Sequence, residues 1–399
     1  MVNSTHVSYF IMSAFFHTGV FKYLFFMIVM CLYVCIIGSN VLLIVVICVN
    51  RSLHEPMYLF LCSLFVNELC GSTGLFPSLL VQILSDIHTV SAPLCFLQVF
   101  SLYTYANVQF YNLAIMSYDR YLAICHPLHY NTRMTSNKAA MFIALTWFFP
   151  ILNVVIMISL SASLQLCGNI INKVYCDNFS VVKLACSDTT VNNVYGLVYT
   201  CTVIAALVIL TFYSYMRILR VCFSGSKQTR QKAVSTCTPH LVSMLNFSFG
   251  AFFEVSQSRF DMSGVPSMLR IVLSVYFITF PPLFNPLIYG LNLTKIRIIC
   301  KSLLFVCNAC RLIPRSSRHQ RLVLFEGCYV SPVEDPELDV VEMEDLEQGV
   351  LCIFAIPDPG RVRASERGTM MRTPRRPRSQ VTARKAISRA GLHDRTSRR

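Results

Sequence analysis

The residues most able to do chemistry in this 399-residue chain are polar groups inside, or at the ends of, apolar runs. Glu68 interrupts one such run, and Asp119-Arg120-Tyr121 ends another. A carboxyl group inside an apolar run is costly unless it is protonated or faces other polar groups. These residue types predict ion pairs and hydrogen bonds that exchange partners when the conformation changes, and the expected partners of Glu68 are Asn40 and Asn285.

Blander interpretations exist for both groups. Glu68 as a neutral acid would make a single hydrogen bond between helices. In the simpler interpretation of the second group, the side chains of Asp119 and Arg120 extend toward the membrane interface and have no further role. Further along the chain, Asn285-Pro286-Leu287-Ile288-Tyr289 places an amide and a phenol beside a proline. Because proline removes a backbone donor and bends a helix, this run predicts a kink with polar sides.

Four cysteines differ from the rest because they lie in, or next to, more polar connections. They are Cys95, Cys167, Cys176 and Cys186. In an oxidising compartment they predict two disulfides, with three possible connectivities. A bridge from Cys95 to the connection at about 164–193 would hold that connection as a lid.

The sequence predicts no enzymatic activity, cofactor or metal site. It contains neither a glycine-rich phosphate loop nor a Gly-x-Ser-x-Gly turn. A net charge of +14 is compatible with nucleic-acid binding, but 17 of the 34 basic residues lie in the last 89 residues. The first 310 residues are 17 basic and 8 acidic, so we expect no nucleic-acid partner.

Hydropathy indicates a membrane protein. Hydrophobic residues make up 54% of the chain and charged residues 14%, and the mean hydropathy is +0.55. A helix of about 20 apolar residues crosses the hydrocarbon core of a bilayer. Gaps between charged residues predict an all-α bundle of seven transmembrane helices, at roughly 23–49, 57–84, 95–120, 139–163, 194–219, 233–256 and 269–291.

Charge in the short connections predicts the orientation. Of the Lys and Arg residues in the first 310, twelve fall in one set of connections and five in the other. The richer set belongs in the cytoplasm, which places the amino terminus outside and the carboxyl terminus inside. The Asn3-Ser4-Thr5 sequon then lies on the side where glycosylation occurs.

Six motifs in chain order resemble the odorant receptors of the rhodopsin-like (class A) G-protein-coupled family, over roughly residues 20–305. The segment Asn67 to Gly74 looks similar to fish-type members. The six motifs are Gly38-Ser39-Asn40, Leu53 to Tyr58, Met116 to Cys125, Ser214-Tyr215, Lys232 to Leu241 and Pro281 to Tyr289.

The resemblance implies pairings and roles for individual residues. It pairs Cys95 with Cys176 and Cys167 with Cys186, and it makes Trp147 the marker of the fourth helix. Glu68 stands where most of the family has aspartate, which puts the family's sodium site in doubt. The residues implied in G-protein coupling and switching are Asp119, Arg120, Tyr121, Tyr215, Lys232, Asn285, Pro286 and Tyr289.

The resemblance also implies a function. A small odorant would enter an apolar pocket, shift a pre-existing equilibrium, and so activate a stimulatory, olfactory-type G protein that raises cyclic AMP. The location would be the plasma membrane of olfactory cilia, with membrane lipid as a further partner. The pocket candidates are Leu102, Tyr103, Ala106, Asn107, Tyr199, Val203, Phe249, Phe252, Phe253, Ile278 and Thr279.

Two questions stay open at this level. Glu254, near the outer end of the sixth helix, is either an anion for an amine or hydrogen-bonding ligand or, more simply, part of a solvated helix end. The alternative classes are a transporter, which would usually show internal repeats, and a membrane enzyme, which would need an intramembrane catalytic constellation. Ligand-stimulated cyclic AMP would separate a receptor from both.

The chain divides into four predicted regions. Residues 1–22 form an outer segment, 23–294 the receptor domain, 295–310 a cytoplasmic amphipathic helix, and 311–399 a disordered cytoplasmic extension. The extension holds an acidic block, Glu334 to Glu347, and a basic block from Arg361 to Arg399. Opposite blocks of this kind usually remain solvated.

Overall fold

Seven helices of 26 to 35 residues run through the described part of the chain, which is residues 7–15, 21–224, 227–260, 265, 267–300 and 302. This computed structural model confirms the predicted helical bundle. Within each helix the backbone N–H and C=O groups hydrogen-bond to one another, because the hydrocarbon core of a bilayer offers no water to replace these bonds. They are α1 (Phe21–Val49), α2 (Pro56–Leu84), α3 (Ala92–Cys125), α4 (Ser136–Ala162), α5 (Thr190–Ser224), α6 (Lys227–Arg259) and α7 (Ser267–Asn292).

Several helices are longer than the uncharged runs that predicted them. α3 continues to Cys125, and α6 already begins at Lys227. Apolar composition is required only over the hydrocarbon core, whereas helical hydrogen bonding continues into the interface, where charged side chains remain solvated. The charge gaps therefore mark the core of the membrane and not the helix ends.

Five of the described helices meet a simple length and hydropathy criterion for crossing a membrane. They are α1, α2, α4, α5 and the Leu269–Asn292 part of α7. α3 is more polar because it buries amides such as Gln98, Gln109 and Asn112 against other helices. α6 starts in a basic segment that belongs to the cytoplasmic connection. Polarity in these two helices reflects internal contacts and interfacial ends.

A small sheet in the outer connections was not predicted from the sequence. The amino-terminal strand β1 (Tyr9–Met12) lies between β2 (Thr89–Ser91), to which it is antiparallel, and β3 (Ile170–Ile171), to which it is parallel. Phe10 and Met12 are fully buried beneath it. The amino-terminal segment is therefore an integral part of the lid over the bundle.

We expect Phe10→Ala to destabilise the lid by about 3–5 kcal/mol, because a large buried ring is replaced by a cavity. Its neighbour Tyr9 is half exposed on the other face of the strand, so Tyr9→Ala is the matched control, with an expected cost within about 0.5 kcal/mol. Thermal unfolding of the purified receptor measures both effects. Equal unfolding temperatures for the two variants would show that β1 is not packed as described.

Residues 294–300 follow α7 and are also helical. They form the start of the segment 295–310 predicted as an amphipathic helix. The remainder of that segment, apart from residue 302, lies outside the described residues, as does the extension 311–399.

Candidate functional site

The cytoplasmic end of α3 holds a buried ion pair. Both Nε and Nη2 of Arg120 donate to Oδ2 of Asp119, and the Nε distance is 3.1 Å. The other carboxylate oxygen accepts a hydrogen bond from the Tyr130 hydroxyl at 2.7 Å. Tyr130 begins a short helix, Tyr130–Arg133, in the connection to α4. Asp119 thus joins the arginine to a cytoplasmic connection, and the arrangement can change if Arg120 finds another partner.

A buried histidine joins three helices a little deeper in the bundle. His240 of α6 hydrogen-bonds to the Leu113 carbonyl of α3 through Nε2, at 2.9 Å. A carbonyl accepts only, so Nε2 carries the proton and Nδ1 accepts from the Tyr215 hydroxyl of α5. Tyr215 was among the predicted switch residues, whereas the partner role of His240 was not foreseen. These two bonds hold α6 against α3 and α5.

Glu68 belongs to a network of buried amides. Its Oε1 accepts hydrogen bonds from Asn285 Nδ2 and, at 3.3 Å, from Gln109 Nε2. Asn67 donates to Gln109 Oε1 at 2.9 Å. Glu68, Asn67, Gln109 and Asn285 are all fully buried. The network connects α2, α3 and α7, and Asn285 is a direct partner of Glu68.

The prediction that Asn40 is a second partner of Glu68 was wrong, because no hydrogen bond joins the two side chains among the described residues. Asn40 donates instead to the Pro282 carbonyl at 2.8 Å and to its own Ile36 carbonyl at 2.9 Å. Pro286 has no N–H, so the carbonyl four residues earlier, that of Pro282, loses its helical donor. Asn40 supplies that missing donor and joins α1 to the proline-containing part of α7.

An aromatic cluster lies between this network and the outer half of the bundle. The Tyr105 ring is 5.9 Å from Phe247 and 5.8 Å from Phe277, and Phe247 is 4.8 Å from Phe110. These rings belong to α3, α6 and α7, and none was predicted as a site residue. A shift of one ring requires its neighbours to move, because interiors are close-packed. The cluster is positioned to relay a change above it to the polar groups below.

The predicted pocket residues divide by exposure. Phe252 is 70% exposed and Phe249 is 51% exposed, so the inward orientation predicted for them is wrong. The α6 face that points inward instead carries Phe247 and Gly250. Leu102 and Ile278 are buried. The candidates that are partly buried are Tyr103, Ala106, Asn107, Tyr199, Val203, Phe253 and Thr279.

Polar atoms near these residues offer hydrogen bonds in an otherwise apolar region. Asn107 donates to the Tyr103 carbonyl within α3 at 2.7 Å. Thr279 Oγ1 is buried and makes no hydrogen bond with any described residue. Tyr199 and Val203 belong to an open apolar surface that the outer half of α5 forms by itself. Buried apolar side chains with a few polar atoms, as at Leu102, Ile278 and Thr279, are typical of small-molecule sites.

Two disulfides hold the lid. Cys95 at the start of α3 is bonded to Cys176, and Cys167 is bonded to Cys186, with Cα–Cα distances of 5.4 and 5.6 Å. These are the pairings that the resemblance implied. The backbone N–H of Cys176 also donates to Gln98 Oε1 at 3.1 Å. The lid is therefore joined to α3 covalently and by a buried hydrogen bond.

Glu254 is not a solvated helix end. Its Oε1 lies 2.6 Å from Nζ of Lys173, a lid residue, and both side chains are largely buried. The simple interpretation of Glu254 as a solvated end is therefore wrong, and the carboxylate already has a cation beside it. The role of Lys173 was not predicted, because no local pattern brings residues 81 positions apart together.

The remaining predicted site residues have simple surroundings. The Tyr121 hydroxyl hydrogen-bonds His126 Nε2 at 3.0 Å, and Tyr289 is buried beside Phe65 with ring centroids 6.3 Å apart. Trp147 donates to Ser63 Oγ at 3.0 Å. The side chain of Lys232, and all of Asn3, lie outside the described part.

Some of the residues that the sequence analysis missed carried a usable signal. Asn67 and Gln109 are amides inside apolar runs, and polar residues in such runs usually face the bundle interior. Tyr130 and Lys173 carried no such signal, because both lie in connections where polar residues are ordinary.

Seven long helices with a buried ion pair at one end and a disulfide-bound lid at the other form a bundle of the rhodopsin-like architecture. The crystal structure of squid rhodopsin superimposes with a TM-score of 0.59, covering 79% of this chain and 93% of that one, at 15% identity. That likeness shows the fold alone.

The sequence comparisons give the family. The profile described as "Olfactory receptor" matches residues 29–306. Human olfactory receptor 6N1 is 34% identical over 300 residues, covering 74% of this chain and 94% of that protein. Mouse olfactory receptor 4B13 is 30% identical over 299 residues, covering 74% and 96%. The chain belongs to the olfactory receptor family, so it is a multi-pass membrane receptor and not an enzyme.

Proposed function

We propose that this receptor binds a small odorant between α3, α5, α6 and α7 and activates a stimulatory, olfactory-type G protein, which raises cyclic AMP. The observation that carries the proposal is one buried core that contains Leu102, Ile278 and the Tyr105 aromatic cluster and also Leu113, whose carbonyl is the partner of His240. The Asp119–Arg120 pair lies at the end of the same helix α3. A ligand that favours one arrangement of these contacts shifts the population of the receptor toward it. The proposed site of action is the plasma membrane of olfactory cilia.

The arrangement at the cytoplasmic end of the bundle supports the G-protein part of the proposal. Arg120 is paired with Asp119, and α6 is held to α3 through His240. When α6 moves outward, Arg120, with Arg217, Arg220 and the basic start of α6, would meet the G protein. The resemblance of Asn67 to Gly74 to fish-type members supports a place in that subgroup, which we include in the proposal.

A reporter-cell experiment tests this function. Cells expressing the receptor are screened with odorant mixtures for cyclic AMP, against cells with the empty vector and cells treated with a direct activator of adenylyl cyclase. We expect at least one mixture to raise cyclic AMP only in receptor-expressing cells. A receptor that reaches the surface, and binds an odorant without any cyclic AMP response, would contradict the stimulatory coupling.

The four-region organisation remains part of the proposal, with 1–22 outside, 23–294 as the receptor domain, 295–310 as a cytoplasmic helix and 311–399 as an extension. The family match ends at residue 306, so it leaves the extension without a counterpart. Signalling in this proposal uses only residues within the matched region.

Truncation after Arg311 is therefore expected to leave both surface level and ligand-stimulated cyclic AMP within about twofold of the full chain. The physical reason is that no described contact of the bundle depends on residues beyond 302. Flow cytometry of an amino-terminal tag and the cyclic AMP assay measure the two quantities. A large loss of either would show that the extension is needed.

A further inference from the structure

Gly71 of α2 lies directly against the Tyr105 side chain of α3. A Cβ atom added at Gly71 would be 2.6 Å from both Cγ and Cδ2 of Tyr105 and 2.9 Å from its Cβ. Carbon atoms in ordinary contact are about 3.5–4.0 Å apart, so any side chain at position 71 requires a displacement of about 1 Å. The Tyr105 ring thus occupies space that exists only because residue 71 is glycine.

Hydrogen bonds hold the backbone of α3 to α2 at this level. Asn67, one turn earlier in α2, donates to the Tyr105 carbonyl at 3.0 Å and to Gln109 Oε1 at 2.9 Å. Nearer the cytoplasm, Ser63 donates to Asn112 Oδ1 at 3.1 Å. Breaking buried hydrogen bonds is costly, because it leaves polar groups unpaired. A side chain at position 71 therefore displaces the ring more readily than it separates the two helices.

Packing alone fixes the position of the Tyr105 ring. Its hydroxyl is buried and makes no hydrogen bond with any described residue. The ring centroid lies 5.9 Å from that of Phe247 in α6 and 5.8 Å from that of Phe277 in α7. α6 and α7 are themselves close, because a Cβ atom at Gly250 would be 3.2 Å from Phe277 Cα. A displaced Tyr105 ring therefore presses on α6 and α7.

Pressure on Phe247 acts on the helix that carries His240. The two residues are two turns apart, about 10 Å along α6. His240 is bonded to the Leu113 carbonyl of α3 and to the Tyr215 hydroxyl of α5. Because a helix moves nearly as a rigid body over two turns, a shift at Phe247 strains both of these bonds.

We propose that Gly71 is a positioning residue that keeps the receptor inactive without odorant, by leaving room for the Tyr105 ring beside α2. A side chain at position 71 displaces the ring toward Phe247 and Phe277. The population then shifts toward the arrangement in which α6 has moved outward. The signalling consequence rests on the proposed receptor function, whereas the displacement of α6 does not.

Hydrogen exchange of the purified receptor in lipid discs tests the displacement without odorant or G protein. Gly71→Ala is expected to speed exchange in α6 from Lys227 to His240, because the contacts that hold this segment are weakened. Gly74→Ala is the matched control, since its added Cβ meets Ser101 of the same helix pair and no aromatic ring. Gly38→Ala, whose Cβ meets nothing within 4 Å, controls for the change of residue type. Wild-type exchange in Gly71→Ala, or equally fast exchange in Gly74→Ala, would overturn the proposal.

Ligand-independent cyclic AMP, compared at equal surface level, measures the functional consequence. Gly71→Ala is expected to raise it about fivefold, which corresponds to about 1 kcal/mol in the equilibrium between the two states. Gly74→Ala and Gly38→Ala should stay at the wild-type level. In a Tyr105→Ala background, which lacks the ring, Gly71→Ala should add no rise, and equal rises in both backgrounds would overturn the proposal. Faster exchange in α6 without a cyclic AMP rise would support the displacement and contradict the proposed stimulatory coupling.

Tyr105→Leu covers the case in which Gly71→Ala does not reach the surface. Leucine is smaller than the tyrosine ring, so it fits beside Gly71 without pressing on Phe247. We expect saturating odorant to give a cyclic AMP response at least about twofold smaller than in wild type at equal surface level. A maximal response equal to that of wild type in the same assay would overturn the proposal.

Discussion

Arg120→Ala is expected to abolish ligand-stimulated cyclic AMP while the receptor still reaches the cell surface. In the described structure the guanidinium group donates twice to Asp119, so it is available for a new partner only if that pair opens. Alanine removes the group that would exchange between Asp119 and the G protein. Asp119 keeps its hydrogen bond from Tyr130, which limits the cost of the unpaired carboxylate.

Arg133→Ala is the matched control, because Arg133 is a cytoplasmic arginine in the same connection but is exposed. It should signal as wild type does. Arg120→Lys keeps the cation without the planar donor pair and should be strongly impaired. Ligand responses of normal size in Arg120→Ala, at normal surface level, would remove Arg120 from the switch.

Cys95→Ser is expected to prevent delivery of a ligand-responsive receptor to the surface. The Cys95–Cys176 bridge closes a separation of 81 residues and lies in the buried cluster that contains Phe10, Met12 and Ile171. Loop closure of this length contributes about 4.5 kcal/mol in the chain-entropy account. Without the bridge, the lid keeps only noncovalent contacts with α3.

Cys167→Ser is the comparison, because its bridge to Cys186 closes only 19 residues within the lid and contributes about 3.3 kcal/mol by the same account. We expect a smaller loss of surface receptor for this variant. Surface staining and thermal unfolding measure both. Cys95→Ser at wild-type surface level and wild-type ligand potency would argue against a structural role for the bridge.

The helices were predictable because the bilayer imposes a simple rule on composition. Gaps between charged residues located all seven, although they missed helix ends such as Cys125, which lie beyond the hydrocarbon. β1 was not predictable in the same way. Its four residues carry no distinctive pattern, and both of its partners are distant in sequence.

The site was partly predictable for a related reason. A carboxyl group such as Glu68 needs a buried partner, and Asn285 supplied it. The partner of Asn40 is a carbonyl that a proline leaves without its helical donor. Predicting that contact requires knowing how α1 is positioned along α7. The outward orientation of Phe252 and the pairing of Lys173 likewise depend on how segments pack, and sequence periodicity does not contain that information.

The measurement that tests the account most directly is nucleotide exchange on a purified stimulatory G protein by the purified receptor in lipid discs. An odorant identified by the cyclic AMP screen is added to wild type and to Arg120→Ala. We predict that the odorant accelerates exchange with wild type and has no effect with Arg120→Ala, although both bind it. An odorant that binds wild type without accelerating exchange, or that accelerates it equally with Arg120→Ala, would contradict the account.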